Sequence, residues 1–584
     1  MAHPESNLEP RPSGLVPATA QPSVGRVRLL LALVLLVALA LRLLSIGDPW
    51  SGLALDFHNH FGAFATGGQA ARFHHDGFGE LHYLLTSWRV VLEDGSVVSQ
   101  VYSHHPPLFI YLEALALDLF GMHEWALRLV PLCFSMLSVL GAYRLGRLVW
   151  GARAGLMMAA ILAVVPWSAW YGVQTFTEGT LIWIACEEVR RYVLWLRTGE
   201  RRHLLIAALW QLLAGLMDWP GGFLLLGLGF HGLLVATRTR GWRGLLALLV
   251  LPGAFLVAVL VHWLHLGMVM GEAGRGEDTA ATIATVTTLT TSLDNFLVLQ
   301  GRFLWRFLGA GFCVLFVLGG VRALGLGLRR RLSAEDWLWP ALLVPGLLYV
   351  VLFPQRSVNH DFFFMLALPG IAVLSSGLLL GVMDRLRTRL GEDRGGALGG
   401  LLVVVLLAAA SWTTVEVWQA RRSDQLVGLV ESDWLAPQLA DPQGVILTHF
   451  GRGMSLPFYS TAQLIHSVDD RTRYDAIEGR VLEHLEPGRP AWFLFDLVSA
   501  QKLGSGPASE LLEAAGLVAT TGEQRARAIE QLLESLPDEA RGSLMAALLT
   551  PELAALHASV TARHPSTFHV IEGTGLFELV DLSK

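Results

Sequence analysis

Read from its N-terminus, the chain alternates long apolar runs with short polar joints. The run "LLLALVLLVALALRLLSI" at 29–46 follows a Pro-rich polar leader and is as long as a bilayer core requires. No small-residue cleavage site follows it, so it reads as a retained helix and not as a removed signal. Further runs of spanning length lie near 124–148, 153–171, 178–197, 203–219, 221–237, 244–266, 302–321, 337–353, 361–382 and 398–418, eleven with the first. The apolar stretch 106–121 is shorter, and it is expected as a juxtamembrane helix lying on the outer face.

That placement follows from charge. Positively charged joints stay on the cytoplasmic side. The arginine groups 144/147/153, 190/191/197/201/202, 238/240/243, 322/329/330/331 and 385/387/389/394 fall on one side together only if 106–121 does not span. The regions 47–123, 267–301 and 419–584 then face outward. Residues 1–25 are expected as a disordered cytosolic leader, 26–420 as the transmembrane domain and 421–584 as a small extracytoplasmic α/β domain. In that last region "GVILTHF", "AWFLFDL" and "FHVIEGTGLFELVDL" are strand-like, and helical stretches lie around 508–517 and 522–558. The fold class is thus a polytopic α-helical membrane protein with a C-terminal extracytoplasmic α/β domain.

Composition agrees with this reading and adds little about partners. Hydrophobic residues make up 53% of 584 and charged residues 16%, with mean hydropathy +0.49, more apolar surface than one soluble core buries. Lys occurs only at 502 and 584, so Arg carries the positive charge, and the net charge of −6 points to no nucleic acid. The three cysteines, at 133, 186 and 313, sit in or beside apolar runs and make neither a disulfide framework nor a thiolate metal cluster.

The chemistry gathers in the outward segments. The loop after the first run, "DPWSGLALDFHNHFGAFATGGQAARFHHDGFGELHYLL", concentrates Asp56, His58, His60, His74, His75, Asp76, Glu80 and His82. A carboxylate such as Asp56, held ionised beside an incoming hydroxyl, accepts its proton; the alternative is a solvated helix cap. Glu178 stands at the outer mouth of a run, where an ionised carboxylate is costly unless it is paired or wet. His360 and Asp361 stand at another outer end, with ligand contact and capping both open. Glu187 and Glu188 lie nearer the arginines, with Arg190 or Arg191 as natural partners. Asp218, before Pro-Gly, reads as a turn cap. Arg302 and Arg356 are outward cations suited to phosphate or to lipid headgroups.

The order of an acidic residue after the first helix, "HHPP", an aromatic short helix, "LFG", "EWALRLVPLCFSMLSVLGAYRLGRLVWG" and "VPWSAWYGVQTFTEGTLIW" resembles the GT-C glycosyltransferases that use polyprenyl-phosphate sugars. These include the lipid A aminoarabinose transferases and the protein O-mannosyltransferases. The resemblance runs over roughly 50–235 and resumes at "NHDFFFMLALPGIAVL". It implies that Asp56 is the base or acceptor-orienting group, that Glu178 is a second acidic site residue, and that His104 and His105 lie beside the donor phosphate. "DFHNH" departs from the family's usual wording around the first acid, and a Lys often seen near "DWPGG" is absent.

Pro106 and Pro107 suit a first helical turn, whose end attracts a phosphate while the prolines remove N–H donors. His104 or His105 then supplies the missing hydrogen bonds, or ligates a divalent metal ion. No compact zinc spacing is present. The expected activity is inverting transfer of a sugar from a polyprenyl-phosphate donor to an extracytoplasmic lipid, glycan or protein, at the inner (plasma) membrane of a bacterium. His58, His60, His360 and Asp361 are expected at the substrate, and His104, His105, Arg302 and Arg356 at the donor phosphate. The competing class is a transporter or lipid flippase, for which mid-membrane charges and repeated halves are expected. Neither is seen in the sequence.

Overall fold

Helix covers all eleven expected runs, with breaks that the hydrophobic pattern did not show. The computed structural model describes residues 13–16, 22–47, 57–91, 97–103, 105–271, 292–438, 445–448, 464–467, 491–499, 531, 535, 537, 551–563, 566–571 and 575–581. The chain divides into two units, 1–47 with 103–112 and 127–420, and 48–102 with 113–126 and 421–584. One division between the units falls after Ala420, and most of the outer loop is grouped with the C-terminal segment.

The first unit holds α1 (Val24–Leu43), α4 (Glu124–Trp150), α5 (Ala152–Val164), α6 (Pro166–Trp170), α7 (Glu178–Thr198), α8 (Arg201–Met217), α9 (Phe223–His231), α10 (Thr237–Ala247), α11 (Val250–Met270), α12 (Leu293–Leu308), α13 (Ala310–Leu328), α14 (Leu338–Leu352), α15 (Pro354–Asn359), α16 (Leu368–Leu390) and the start of α17 (Glu392–Gln438). Among the described residues seven helices are long and apolar enough to cross a membrane, or eight if α5 with the α6 segment, bent by 68°, counts as one. The expectation of eleven differs for physical reasons. α7 carries three glutamates and three arginines, α8 has only 17 residues, and 219–270 forms one long stretch where two runs were separated. The run 302–321 is cut at Gly309, whose φ of 81° ends α12 and starts α13.

α1, α13 and the first part of α17 leave Leu29, Leu33, Val317, Val321, Val404 and Trp412 exposed, an apolar surface that suits lipid. α16 is buried among its neighbours through its apolar part up to Leu380, and its last turns are open. α3 (Leu108–Phe120) has 13 residues, about 20 Å at 1.5 Å per residue, against a bilayer core of about 30 Å.

Two polar anchors shape this unit. Arg42, fully buried at the end of α1, donates to Ser135 Oγ (2.7 Å), Ala38 O (3.0 Å), Ala163 O (3.1 Å), Leu162 O (3.2 Å), Ser168 O (3.1 Å) and Ser168 Oγ (2.8 Å). It thereby caps carbonyls that the break between α5 and α6 releases from the helical ladder. The second anchor alters the expectation of a disordered leader. Ser13 Oγ donates to Asp336 Oδ1 at 2.5 Å, Gly14 N to Asp336 Oδ2 at 2.9 Å, and Arg322 to Leu15 O at 2.6 Å. Leu15 and Val16 are buried in the hydrophobic core, so burial of two apolar side chains and satisfaction of a buried carboxylate order this part of a polar leader.

The second unit contains α2 (Phe57–Asp76), a β1–β2 hairpin (Thr86–Val91, Val97–Val101), and a five-stranded sheet of β3 (Val445–Thr448), β4 (Leu464–Ser467), β5 (Ala491–Ser499), β6 (Ser566–Ile571) and β7 (Gly575–Asp581), with α18 (Pro551–Thr561) before the final hairpin. The strand order is β4-β3-β5-β7-β6, parallel where β3 meets β4 and β5 and antiparallel where β7 meets β5 and β6. Two strand-like segments, at β3 and β5, and the closing β6–β7 hairpin were legible in the sequence. β4 was not, because "LIHS" is too short to show a period.

Candidate functional site

The site is built by a helical reversal. Gly199, in the left-handed region at φ 77°, ends α7 and donates to Trp195 O, the usual helix-ending use of glycine. α8 then packs back along α7, so the residue after α8, Asp218, returns to Thr177 at the start of α7. Thr177 Oγ1 donates to Asp218 Oδ2 at 2.6 Å, and Trp219 N donates to Asp218 Oδ1 at 2.7 Å. The segment before α3 brings His105 to the same carboxylate, Nδ1 to Oδ1 at 2.7 Å.

Asp218 is buried and His105 half-buried. Loss of water around His105 works against its protonation. The charge and hydrogen bond of Asp218 outweigh that loss and hold the imidazole above its ordinary value, while Arg356 pulls the other way. A protonated imidazole carries a donor on each nitrogen, and Asp218 takes one of them. Glu178, buried at the start of α7, faces Asp218 and meets the Tyr349 hydroxyl. His262 on α11 hydrogen-bonds through Nε2 to Ser103 O at 3.2 Å, lies edge-to-face on Trp219 at 5.4 Å, and is within electrostatic reach of His265 and His105.

Arg356 on α15 and Arg302 on α12 are exposed, and Gln300 Nε2 ties the two helices by donating to Ser357 O at 2.8 Å. Asp361 is directed elsewhere. Its carboxylate accepts from the Tyr171 hydroxyl and its carbonyl from Trp167 Nε1 at 2.8 Å. Phe176 and Phe362, 4.4 Å apart, adjoin Tyr171, and His360 stacks on Phe363 at 5.2 Å. The structure therefore brings His105 and Glu178 to Asp218, with Arg356 within electrostatic reach of His105, and sets Asp361 among aromatic rings. Asp56 and His104 lie outside the described residues. His58 and His60 fall in the first turns of α2.

Among the described residues no group of three His, Cys, Asp or Glu side chains is disposed to hold a metal ion. Sequence reading missed Thr177 and His262 and took Asp218 for a turn cap. It does cap the turn, through Trp219 N, but its hydrogen bonds to His105 and Thr177 span 113 and 41 residues and leave no local sequence signal. Glu187 pairs with Arg190 at 2.7 Å, as expected, and also with Arg144 at 2.9 Å.

The dolichyl-phosphate-mannose-protein mannosyltransferase family model matches residues 104–265, the segment that supplies His105, Thr177, Glu178, Asp218 and His262. Among curated proteins none matches the chain. Among solved structures, ArnT from Cupriavidus metallidurans bound to undecaprenyl phosphate superposes with TM-score 0.51 at 15% identity, covering 86% of this chain and 96% of that one. The archaeal oligosaccharyltransferase AglB from Archaeoglobus fulgidus, in complex with an inhibitory peptide and a dolichol-phosphate, superposes with TM-score 0.51 at 14% identity, covering 81% of this chain and 69% of that one. Residues 104–265 are thus similar to the mannosyltransferase family model, and the chain as a whole shares the fold of these two enzymes.

Proposed function

We propose that the protein transfers a sugar from a polyprenyl-phosphate donor to a hydroxyl-bearing lipid, glycan or protein on the extracytoplasmic side of a bacterial plasma membrane, with inversion at the anomeric carbon. The observation that carries this reading is the buried Asp218 holding His105 toward its protonated form within reach of Arg356. Two cationic groups meet there, in the segment that the sequence resemblance assigns to the donor phosphate.

In the proposed step the acceptor oxygen attacks the anomeric carbon from the face opposite the phosphate. The new C–O bond forms as the bond to the phosphate oxygen breaks, and its electron pair leaves with the polyprenyl phosphate. His105 and Arg356 stabilise the charge that develops there, and Arg302 adds a second outward cation. Asp56 takes the acceptor proton, Glu178 orients the reacting sugar, and His58, His60, His360 and Asp361 belong to the substrate surroundings.

A purified transfer assay with a polyprenyl-phosphate sugar tests this reading. Asp56→Asn keeps the shape and removes the basicity, so turnover is expected to fall by about 10²–10⁴ while donor-lipid binding persists. Near-normal turnover in that variant overturns the base assignment. Loss of lipid binding makes Asp56 a structural or ligand-holding residue.

A further inference from the structure

The arginine-rich end of the helical unit holds a cavity of about 370 Å³, lined by Arg322 of α13 and by Asp384, Arg385, Thr388 and Arg389 of α16, with Leu378 on its wall. We propose that this cavity is a binding site for the phosphate headgroup of an anionic phospholipid, distinct from the donor site.

The charges in it do not cancel. Asp384, the one carboxylate, is engaged by Arg153 at 3.3 Å and approached by Arg387 at 3.7 Å. Arg385 and Arg389 form no ion pair among the described residues. They stand four residues apart on one helix face, where like charges repel, and Arg385 also lies within electrostatic reach of Arg322. An anion placed between these guanidinium groups removes that repulsion and accepts charge-assisted hydrogen bonds from planar forks suited to phosphate. Thr388 adds a hydroxyl to the same wall.

A lipid is favoured over a free phosphate by what flanks the cavity. Val321, Leu324 and Leu328 of α13 and Leu390 of α16 are exposed, so the two helices that line the cavity also carry apolar surface for acyl chains. The volume falls in the range of small-molecule pockets. Arg322 also holds the leader, through Leu15 O and Gly14 O, which links occupancy of the cavity to the docked segment.

Native mass spectrometry of the full chain, released from detergent and titrated with phosphatidylglycerol, phosphatidylcholine or inorganic phosphate, tests the proposal. Phosphatidylglycerol adducts are expected to outnumber phosphatidylcholine adducts. The double variant R385A/R389A is expected to weaken them by about five-fold per charge removed, roughly 25-fold together. R243A, which removes an exposed arginine outside the cavity, is expected to leave them unchanged. Equal adducts of the two lipids, equal losses in R243A and the double variant, or binding of inorganic phosphate without preference for phosphatidylglycerol overturns the proposal. Since the readout is lipid adducts and not sugar transfer, its failure leaves the transferase reading standing, and the converse also holds.

Discussion

The two ends of α7 use charge in opposite ways. At Arg197 a buried guanidinium meets a buried carboxylate, Nη2 to Glu335 Oε2 at 2.5 Å and Nε to Oε1 at 2.8 Å. Next to it Asp336 is filled by Ser13, Gly14, Ser333 and Trp150. About 30 Å away along the same helix, at 1.5 Å per residue, Glu178 and Asp218 crowd two carboxylates beside a single half-buried histidine. The first arrangement is closed, with each charge matched by a fixed partner. The second holds its histidine by one carboxylate beside an exposed arginine and can be re-balanced by an incoming anion. Paired charge fixes the fold, and charge with capacity left over is what the proposed function assigns to a ligand.

Breaking the closed end should produce the largest effect. Glu335→Gln removes the partner of a buried arginine, and its expected cost is about 3–5 kcal/mol of stability, read as a lowered Tm in detergent. Donor binding per folded molecule should stay normal; if binding falls and Tm does not, the division between the two ends is wrong.

Asp218→Asn attacks the open end. It keeps a polar side chain at the turn but withdraws the charge that favours protonated His105. Turnover is expected to drop on the order of 10²-fold, with a Tm change smaller than that of Glu335→Gln. Comparable losses of Tm in the two variants would make Asp218 chiefly structural.

The pH dependence sharpens the comparison at a smaller scale. His105 is raised in the folded protein, so its protonated form is favoured there. The stabilisation it provides is complete below the ordinary histidine value of about 6.5 and is lost as pH rises through the raised folded value. Donor-lipid affinity is expected to decline across that window, and His105→Asn should flatten the curve. A decline of equal steepness in the variant assigns it to another group.

The smallest effect is expected from Tyr171→Phe, which deletes one hydrogen bond to Asp361 and leaves the aromatic packing in place. A stability loss of about 1 kcal/mol with near-normal turnover fits Asp361 as part of the aromatic cluster. A hundred-fold loss of turnover gives Asp361 a direct part in the reaction.

What the sequence disclosed and what it concealed divide along the same line. Spanning runs, the short α3 and the partner of Glu187 depend on neighbours within a few turns, so hydrophobic period and charge spacing reveal them. His105 and Glu178 came from the resemblance, which preserves order along the chain. Thr177–Asp218, Arg42 with Ser168, and Ser13 with Asp336 are contacts across 41, 126 and 323 residues. Nothing local marks them, and Asp218 looked like an ordinary turn residue because its turn hydrogen bond is real. The break at Gly309 escaped because flanking apolarity concealed a single backbone conformation.

The anchoring of Arg42 also sets a timetable for biogenesis. Its acceptors at Leu162, Ala163 and Ser168 are translated 120, 121 and 126 residues later. At synthesis rates of about 5–20 residues per second, the first helix waits roughly 6–25 s for them. Throughout that interval the guanidinium hydrogens not taken by Ala38 O, or later by Ser135, must find their hydrogen bonds in water or lipid headgroups, which a position in the last turn of a membrane helix permits. Final seating of the N-terminal helix is therefore a late event, completed only after the bent α5–α6 segment has emerged from the ribosome.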